Sequence, residues 1–343
     1  MKILVTGGAG FIGSHLCEVL LNQGHEVFVL DDLSTGSLEN IRHLQSNSKF
    51  HPFFESILNT TVLSELIGQC DMVFHLAAVV GVKKVISSPV ETIERNVKGT
   101  EYILKFANIK KKRVFLTSTS EVYGKGNLPS FSESDDLTIG PTYIGRWSYA
   151  CSKAIDEFLA LAYWKEYKLP VTVVRLFNVI GPRQSAQYGM VVPRFIGQAL
   201  REEPITIFGD GTQTRCFLYV KDAVSAIIKL GFHDRSIGDV YNLGNPNEIS
   251  MNDLAKLVLK ITGSKSLFRH IPYDQCYEDG SFEDMKRRVP NISKIQSLID
   301  FKPTIELKEM IENIMRVKLN AKKKPEDRSF GLRPQDDMAL PLR

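Results

Sequence analysis

The stretch KILVTGGAGFIGSH, residues 2–15, decides the fold class of this chain of 343 residues. The apolar run Lys2–Thr6 predicts a buried strand, and the amphipathic run Phe11–Leu21 predicts the helix that follows it. The loop between them has glycines at three positions, Gly7, Gly10 and Gly13. Glycines at this spacing permit a tight turn and a close approach of a diphosphate to the backbone, opposite the positive end of the helix. The stretch therefore predicts the first unit of a dinucleotide-binding domain.

Two carboxylates follow the next predicted strand, Val27–Leu30. Asp31 and Asp32 come about 20 residues after the last glycine of the loop, where an acid is expected in such a domain. An acid at this position accepts hydrogen bonds from ribose hydroxyls and repels a 2′-phosphate. The sequence therefore predicts NAD as the cofactor and disfavours NADP.

The first half of the chain alternates short apolar runs with amphipathic stretches. Further strands are predicted at Phe50–Phe54, Met72–Leu76, Val114–Thr117 and Val171–Phe177. Long helices are predicted at Val90–Ala107 and Trp147–Tyr167. This alternation is typical of an α/β protein of the Rossmann type, with a doubly wound parallel sheet.

The second half is less regular. Short strands such as Ile205–Phe208 alternate with helices such as Val192–Arg201 and Met251–Ile261. We expect a Rossmann domain at 1–180, and a smaller α/β substrate-binding domain at 181–318 with some segments returning to the first sheet. The polar, lysine-rich stretch 319–343 is expected to be a flexible tail.

Composition and charge exclude several classes of protein. The net charge is +4, from 43 Lys and Arg against 39 Asp and Glu, which gives no argument for binding nucleic acid. No apolar run approaches the ~18–20 residues of a membrane span, so no membrane association is expected. The five cysteines have neither disulfide-rich nor zinc-binding spacing, which predicts a reduced, cytoplasmic protein without a metal site.

A tyrosine and a lysine stand at an i, i+4 spacing on the second long predicted helix. Tyr149 and Lys153 therefore face the same way. Because a nearby ammonium stabilises tyrosinate, we expect the pKa of Tyr149 to be lowered towards neutrality, so that it can take a proton from a hydroxyl. Alone, such a pair is also typical of an exposed helix face, but the dinucleotide-binding context favours catalysis.

Several motifs carry a resemblance to a known family. In order they are TGGAGFIGSH at 6–15, HLAA at 75–78, TSTSEVYG at 117–124, YACSK at 149–153, RLFNVIGP at 175–182 and GDGTQTRCF at 209–217. The chain resembles the extended short-chain dehydrogenase/reductases of the epimerase/dehydratase type, which modify nucleotide sugars, as far as about Lys318. The resemblance implies an NAD-dependent enzyme and a homodimer formed through the two long helices.

The resemblance also implies the roles of individual residues. It implies catalytic roles for Thr119, Ser120, Glu121, Tyr149 and Lys153. It implies cofactor contacts for Gly7, Gly10, Phe11, Ile12, Gly13, Asp31, Asp32, Leu76, Ala77, Ala78, Asn96, Thr117, Tyr149 and Lys153. It implies contacts to a nucleotide sugar, UDP-linked, for Asn178, Val192, Phe208, Arg215 and Arg288.

The triplet Thr119-Ser120-Glu121 bears on the reaction. Plain 4-epimerases of this family usually have a small residue where this chain has Glu121, and a carboxylate there suits chemistry at C5 of a 4-keto sugar. The triplet resembles that of UDP-glucuronate decarboxylases, which is the function that we expect, and it also occurs in GDP-mannose 4,6-dehydratases. The alternatives are a UDP-glucose or UDP-glucuronate 4-epimerase, which the loop 79–89 resembles, and an NDP-hexose 4,6-dehydratase. Dehydration is less well supported, because dTDP-glucose dehydratases have an Asp acid where this chain has Ser120. A non-catalytic NAD-dependent sensor is disfavoured by the intact Thr119, Tyr149 and Lys153.

Overall fold

The structure is a computed structural model that describes residues 1–186, 189–275 and 285–323. Of the predicted tail at 319–343, residues 319–323 belong to the last helix, and residues 324–343 lie outside the described residues. No helix in the described part is both long enough and apolar enough to cross a membrane.

Seven parallel strands form the central sheet. They are β1 (Lys2–Thr6), β2 (Glu26–Leu30), β3 (Phe50–Phe53), β4 (Met72–His75), β5 (Arg113–Thr119), β6 (Val171–Leu176) and β11 (Asp239–Leu243). Their order across the sheet is β11-β6-β5-β4-β1-β2-β3, and every pairing is parallel. The prediction of an α/β Rossmann-type fold is confirmed.

Helices cover both faces of this sheet. They are α1 (Phe11–Asn22), α2 (Thr60–Gln69), α3 (Val82–Ser87), α4 (Pro89–Ile109), α5 (Trp147–Tyr167), α7 (Val220–Phe232) and α9 (Ser293–Ile299). Alternate residues of β1 point to opposite faces, so Ile3 packs with α1 and α7, whereas Leu4 packs with α2 and α4. Burial on both faces explains why the strands consist almost entirely of apolar residues.

A smaller unit stands beside the carboxyl edge of the sheet. Its short strands are β7 (Val179–Ile180), β8 (Ile205–Phe208), β9 (Thr214–Cys216), β10 (Leu218–Tyr219), β12 (Glu248–Ser250) and β13 (Phe268–Ile271), joined as three two-stranded pairs. Its helices are α6 (Val191–Ala199), α8 (Met251–Thr262) and α10 (Leu307–Lys323). They share a core that includes Phe195, Leu254 and Met310. The domain boundary at 180 stays a prediction.

Strand β5 extends two residues beyond its predicted end at Thr117. The extension arises because Ser118 and Thr119 continue the parallel ladder opposite Arg175 and Leu176 of β6. Thr119 is therefore the last residue of a central strand, at the edge of the sheet where functional sites of this architecture form.

A buried ion pair joins α5 to the two strands beneath it. The guanidinium of Arg175 donates from Nε and Nη2 to the carboxylate of Glu157, at 3.1 and 2.8 Å. Ser118 of β5 donates a third hydrogen bond to the same carboxylate. Helix α5 is thus fixed to β5 and β6 by a network with buried charges, which is stable only while each charge has its partner.

Replacing Glu157 with Gln should therefore destabilise the protein by about 3 kcal/mol, because Arg175 is left buried without a counter-ion. Urea unfolding followed by circular dichroism measures the change. The matched control is Glu203→Gln, which breaks the pair of Arg201 and Glu203 at 2.7 Å, where both side chains are about half exposed. Equal losses for the two variants would contradict the assignment.

Candidate active site

A cavity of about 790 Å³ lies between the carboxyl edge of the central sheet and the smaller unit. Its walls include the glycine loop, the ends of β2, β4 and β5, the start of α5 and residues of α6, β8 and β9. Strand order reverses between β1 and β4, and this is the place where open α/β sheets bind their ligands.

The glycine loop forms a cradle that side chains would fill. Gly7 has φ of +73°, and a Cβ added to it would lie 2.8 Å from the backbone nitrogen of Ala77. A Cβ on Gly13 would lie 2.1 Å from the carbonyl oxygen of Gly7. The backbone at the start of α1 is therefore bare and tightly folded, an arrangement that fits the diphosphate of NAD.

The two aspartates after β2 have different partners. Asp31 is buried and accepts hydrogen bonds from the backbone nitrogens of Ala9 and Leu33, at 2.9 and 2.8 Å. Burial raises the pKa of Asp31 in spite of these bonds. Asp32 accepts from Ser34 N at 2.9 Å and from Arg95 Nη1 at 2.6 Å. Burial alone would raise the pKa of Asp32, but these partners lower it.

Most predicted cofactor residues line the cavity. They are Gly7, Gly10, Phe11, Ile12, Gly13, Asp31, Asp32, Leu76, Ala77, Ala78, Thr117, Tyr149 and Lys153. Asn96 does not line it: its buried side-chain oxygen accepts from Val79 N at 2.8 Å, and its amide donates to Ser152 at 3.3 Å. Asn96 therefore supports the loop after β4 from behind.

Thr119 and Tyr149 meet on the wall of the cavity. The Thr119 side chain accepts a hydrogen bond from Glu121 N at 3.2 Å, and its hydroxyl is also a hydrogen-bond partner of Tyr149. Ser120 also lines the cavity but is almost fully buried, at the start of the short turn Ser120–Tyr123. The structure thus brings together two hydroxyls that can hold one substrate oxygen.

The expectation that Lys153 lowers the pKa of Tyr149 is wrong for the protein alone. Burial raises the pKa of Tyr149 above its ordinary value, and the charge of Glu121 adds to the effect. Lys153 donates from Nζ to the buried Asp156 at 2.7 Å, a partner one helical turn away. In the protein alone, burial and, after it, the charge of Glu121 therefore favour the protonated hydroxyl of Tyr149.

Glu121 is held between two arginines. Arg146 donates from Nη2 to its Oε2 at 3.2 Å, and Arg288 donates from Nη1 to its Oε1. Burial alone would raise the pKa of Glu121, but the two guanidinium charges outweigh burial and lower it to about 2. Glu121 is therefore a fixed negative charge beside Tyr149 at neutral pH.

The predicted substrate residues Asn178, Val192, Phe208, Arg215 and Arg288 also line the cavity. Arg288 donates from Nη2 to Asn178 Oδ1 at 2.8 Å, and the amide of Asn178 donates to Cys216 O at 3.0 Å. The guanidinium of Arg194 lies over the ring of Phe208, with 4.3 Å between its carbon and the ring centroid. One face of the ring is therefore covered by the protein itself.

Arg146 is not among the predicted site residues, because the sequence leaves open whether it pairs with a carboxylate or caps a loop. It is buried, lines the cavity and pairs with Glu121. Its position three residues before Tyr149 was a usable signal, because a charged residue at the start of a buried helix needs a partner. In the described part of the chain, no group of His, Cys, Asp or Glu side chains has the arrangement of a metal site.

Comparisons with known proteins agree with this geometry. Residues 4–314 match the family model described as GDP-mannose 4,6 dehydratase. The chain is 43% identical over 316 residues to a UDP-N-acetyl-alpha-D-glucosaminuronate decarboxylase of Bacillus cytotoxicus, covering 91% of this chain and 97% of that protein. It is 36% identical to UDP-glucuronic acid decarboxylase 1 of Arabidopsis thaliana, covering 90% and 68%.

A solved structure extends the comparison to three dimensions. The crystal structure of UDP-glucuronic acid 4-epimerase from Bacillus cereus, in complex with UDP-glucuronic acid and NAD, superposes with a TM-score of 0.84. Its sequence is 34% identical, and the match covers 94% of this chain and all of the other.

Replacing Gly13 with Ala should abolish tight binding of NAD, because the added methyl group would force the glycine loop apart. Calorimetric titration of the purified variant with NAD measures the loss, expected to exceed about tenfold in Kd for a cost above ~1.4 kcal/mol. Gly68→Ala in α2 is the control, because its Cβ would meet open space. Wild-type affinity in Gly13→Ala would be incompatible with the proposed cradle.

Proposed function

We propose, since the chain belongs to the GDP-mannose 4,6-dehydratase family of extended short-chain dehydrogenase/reductases, that this NAD-dependent nucleotide-sugar enzyme decarboxylates a UDP-linked hexuronate. The observation that carries the proposal is the buried Glu121, held ionised by Arg146 and Arg288 beside Tyr149. The sugar substrate is proposed to lie between this carboxylate and the nicotinamide end of the cavity.

The reaction begins at C4 of the sugar. Tyr149 takes the proton of the C4 hydroxyl, while Thr119 donates a hydrogen bond to the same oxygen, as their contact in the structure allows. NAD, when bound, supplies the acceptor for the C4 hydride, returns that hydride at the end, and brings a positive ring that can lower the pKa of Tyr149. The product of this step is a 4-keto sugar that still carries the C6 carboxylate.

Decarboxylation follows at C5. The bond between C5 and the carboxylate carbon breaks, CO₂ leaves, and the electron pair becomes an enolate whose charge lies largely on the C4 oxygen. The hydroxyls of Tyr149 and Thr119 stabilise that charge by hydrogen bonds. Because the substrate carboxylate becomes neutral CO₂ near the fixed charge of Glu121, repulsion between the two is relieved in this step. A proton from solvent water then adds to C5 in place of the lost carboxylate, and the 4-keto group is restored.

The low pKa of Glu121 bears on the alternative reactions. A 4,6-dehydratase must remove the C5 proton with a base, and a carboxylate with a pKa of about 2 is a weak base. Loss of CO₂ needs no base at C5. In the structure both oxygens of Glu121 accept hydrogen bonds from guanidinium groups, which favours decarboxylation over removal of the C5 proton, and Ser120 likewise differs from the Asp of dTDP-glucose dehydratases.

The substituent at C2 of the sugar is proposed to be N-acetamido. The chain is 43% identical to the decarboxylase of UDP-N-acetyl-glucosaminuronate and 36% identical to that of UDP-glucuronate. Arg215 and Arg288 suit the diphosphate of either substrate, since a guanidinium donates two parallel hydrogen bonds. A UDP-glucuronate 4-epimerase is the second candidate, favoured by the superposition with the epimerase from Bacillus cereus.

Replacing Glu121 with Gln should separate these candidates. A decarboxylase should still oxidise C4, but turnover should fall by about 10²-fold or more, because the fixed charge beside C5 is lost. A 4-keto sugar and bound NADH should then accumulate. Single-turnover absorbance at the NADH band, with mass spectrometry of the products from both UDP-uronates, measures each step.

Tyr149→Phe is the matched control for this measurement, because it should stop C4 oxidation in all of these reactions, by about 10²–10⁴-fold. Normal turnover in Glu121→Gln, with no loss of CO₂ from the sugar, would reject decarboxylation and support the epimerase.

We also propose that the protein is a homodimer formed through α4 and α5. The two helices pack side by side, and several large apolar side chains on them are exposed, among them Val90, Ile93, Ile155 and Phe158, the last at 70%. An exposed apolar patch on paired helices is typical of an interface.

A cytoplasmic location is also proposed, since Cys17, Cys70, Cys151 and Cys216 are thiols.

Phe158→Glu should dissociate this dimer, because it places a charge at the centre of an apolar interface, and we expect a loss of about 2 kcal/mol or more of association free energy. Light scattering at micromolar concentration measures the mass. Leu267→Glu is the control, since Leu267 is equally exposed but lies outside both helices. The proposed interface fails if Phe158→Glu keeps the mass of the wild type.

A further inference from the structure

Arg95 of α4 reaches the cavity beside Asp32, at the end of β2. Its Nη1 donates to Asp32 Oδ2 at 2.6 Å, and both residues line the cavity. Its Nε lies 3.3 Å from Oε1 of Glu91. Glu91 in turn accepts from Lys84 at 2.9 Å. Four charged side chains thus form one chain of ion pairs beside the site expected for the adenosine ribose.

We infer that Arg95 is a phosphate-binding residue held in check by Asp32. In this arrangement Asp32 favours NAD over NADP in two ways. Its carboxylate repels a 2′-phosphate, and it also occupies the guanidinium that would otherwise bind one. NAD has no phosphate at this position, so neither effect weakens its binding.

The partners of the two aspartates assign this role to Asp32. Both oxygens of Asp31 accept backbone amides, so Asp31 fixes the glycine loop to the end of β2. Asp32 bonds the nearby Ser34, and its long-range partner is the side chain of Arg95. Removing the carboxylate of Asp32 would therefore leave Nη1 of Arg95 without its Asp32 partner and would not break the contact between the loop and the sheet.

The charge balance of these ion pairs also supports phosphate binding by Arg95 once Asp32 is removed. Lys84 and Arg95 carry two positive charges, and Asp32 and Glu91 carry two negative charges. Glu91 is shared between Lys84 and Arg95, so it cannot neutralise both once Asp32 is gone. Loss of Asp32 leaves a net positive charge on a guanidinium at the cavity wall, which suits a phosphate dianion. The carboxylate of Asp31 remains and still repels a 2′-phosphate. The gain in affinity for NADP is therefore measured relative to the wild type.

The test compares Asp32→Ser with the double variant Asp32→Ser/Arg95→Ala. Nucleotide-free protein is titrated with NAD and with NADP by calorimetry, and the ratio of the two Kd values is measured. Asp32→Ser should shift this ratio towards NADP by about tenfold or more, and the double variant should lose most of that shift, because a hydrogen bond to a charged group is worth about that factor. The shift should also shrink as the salt concentration rises.

A second measurement does not require removal of the bound nucleotide. Each variant is incubated with an equimolar mixture of NAD and NADP, denatured, and the released nucleotides are separated by chromatography. Glu94→Gln is the control, because it breaks the pair of Glu94 and Lys98 at 3.0 Å on the same helix, away from the cavity. Thermal unfolding shows that each variant is folded.

The outcomes distinguish the possible roles. A shift in Asp32→Ser that vanishes in the double variant supports the inference. Equal shifts in the single and double variants would show that Arg95 does not bind the phosphate, and no shift in Asp32→Ser would show that Asp32 does not set the preference. These measurements involve no sugar, so they stand or fall independently of the proposed decarboxylation.

Discussion

The parallel pairing of seven strands brings the candidate cofactor residues of this protein together, because parallel strands end at the same edge of a sheet. Gly7 follows β1, Asp31 follows β2, and Thr119 ends β5, so residues far apart in the sequence meet at one edge. The crossover between β1 and β4 opens a crevice at that edge, and the bare backbone of the glycine loop lets a diphosphate approach the start of α1. The smaller unit closes the crevice with Arg215 and Arg288.

Local patterns in the sequence were sufficient to predict the parallel strands and the glycine loop. Buried parallel strands are continuous apolar runs, and the glycine loop has a spacing that few other structures require. The predicted bounds differ from the structure by a few residues, as at β5, where pairing with β6 extends the strand to Thr119. Propensity in one segment carries no information about such pairing.

The electrostatics of the site could not be predicted in the same way. The spacing of Tyr149 and Lys153 suggests a lowered pKa, but the sign of the shift depends on burial and on Glu121, which packing determines. Lys153 instead pairs with Asp156, and Arg146 finds its partner in Glu121 on another element. Asp32 and Arg95 meet only because β2 and α4 border the same crevice. The pair of Lys153 and Asp156 is local, one turn apart on α5, but the other two contacts join groups whose proximity the tertiary fold creates.

Glu121 shares the cation Arg288 with the site proposed for the substrate diphosphate. Its pKa of about 2 depends on two cations, and one of them, Arg288, also donates to Asn178 at the end expected for the diphosphate. A diphosphate that draws Arg288 towards itself would leave Glu121 with Arg146 as its cation, and the pKa of Glu121 would rise. The negative charge near C5 would then be held by Arg146 alone, in a buried place where a carboxylate without a partner is costly. Arg146 would therefore be the cation that keeps Glu121 ionised once Arg288 binds the nucleotide, and the charge of Glu121 in turn balances the buried guanidinium of Arg146 at the start of α5.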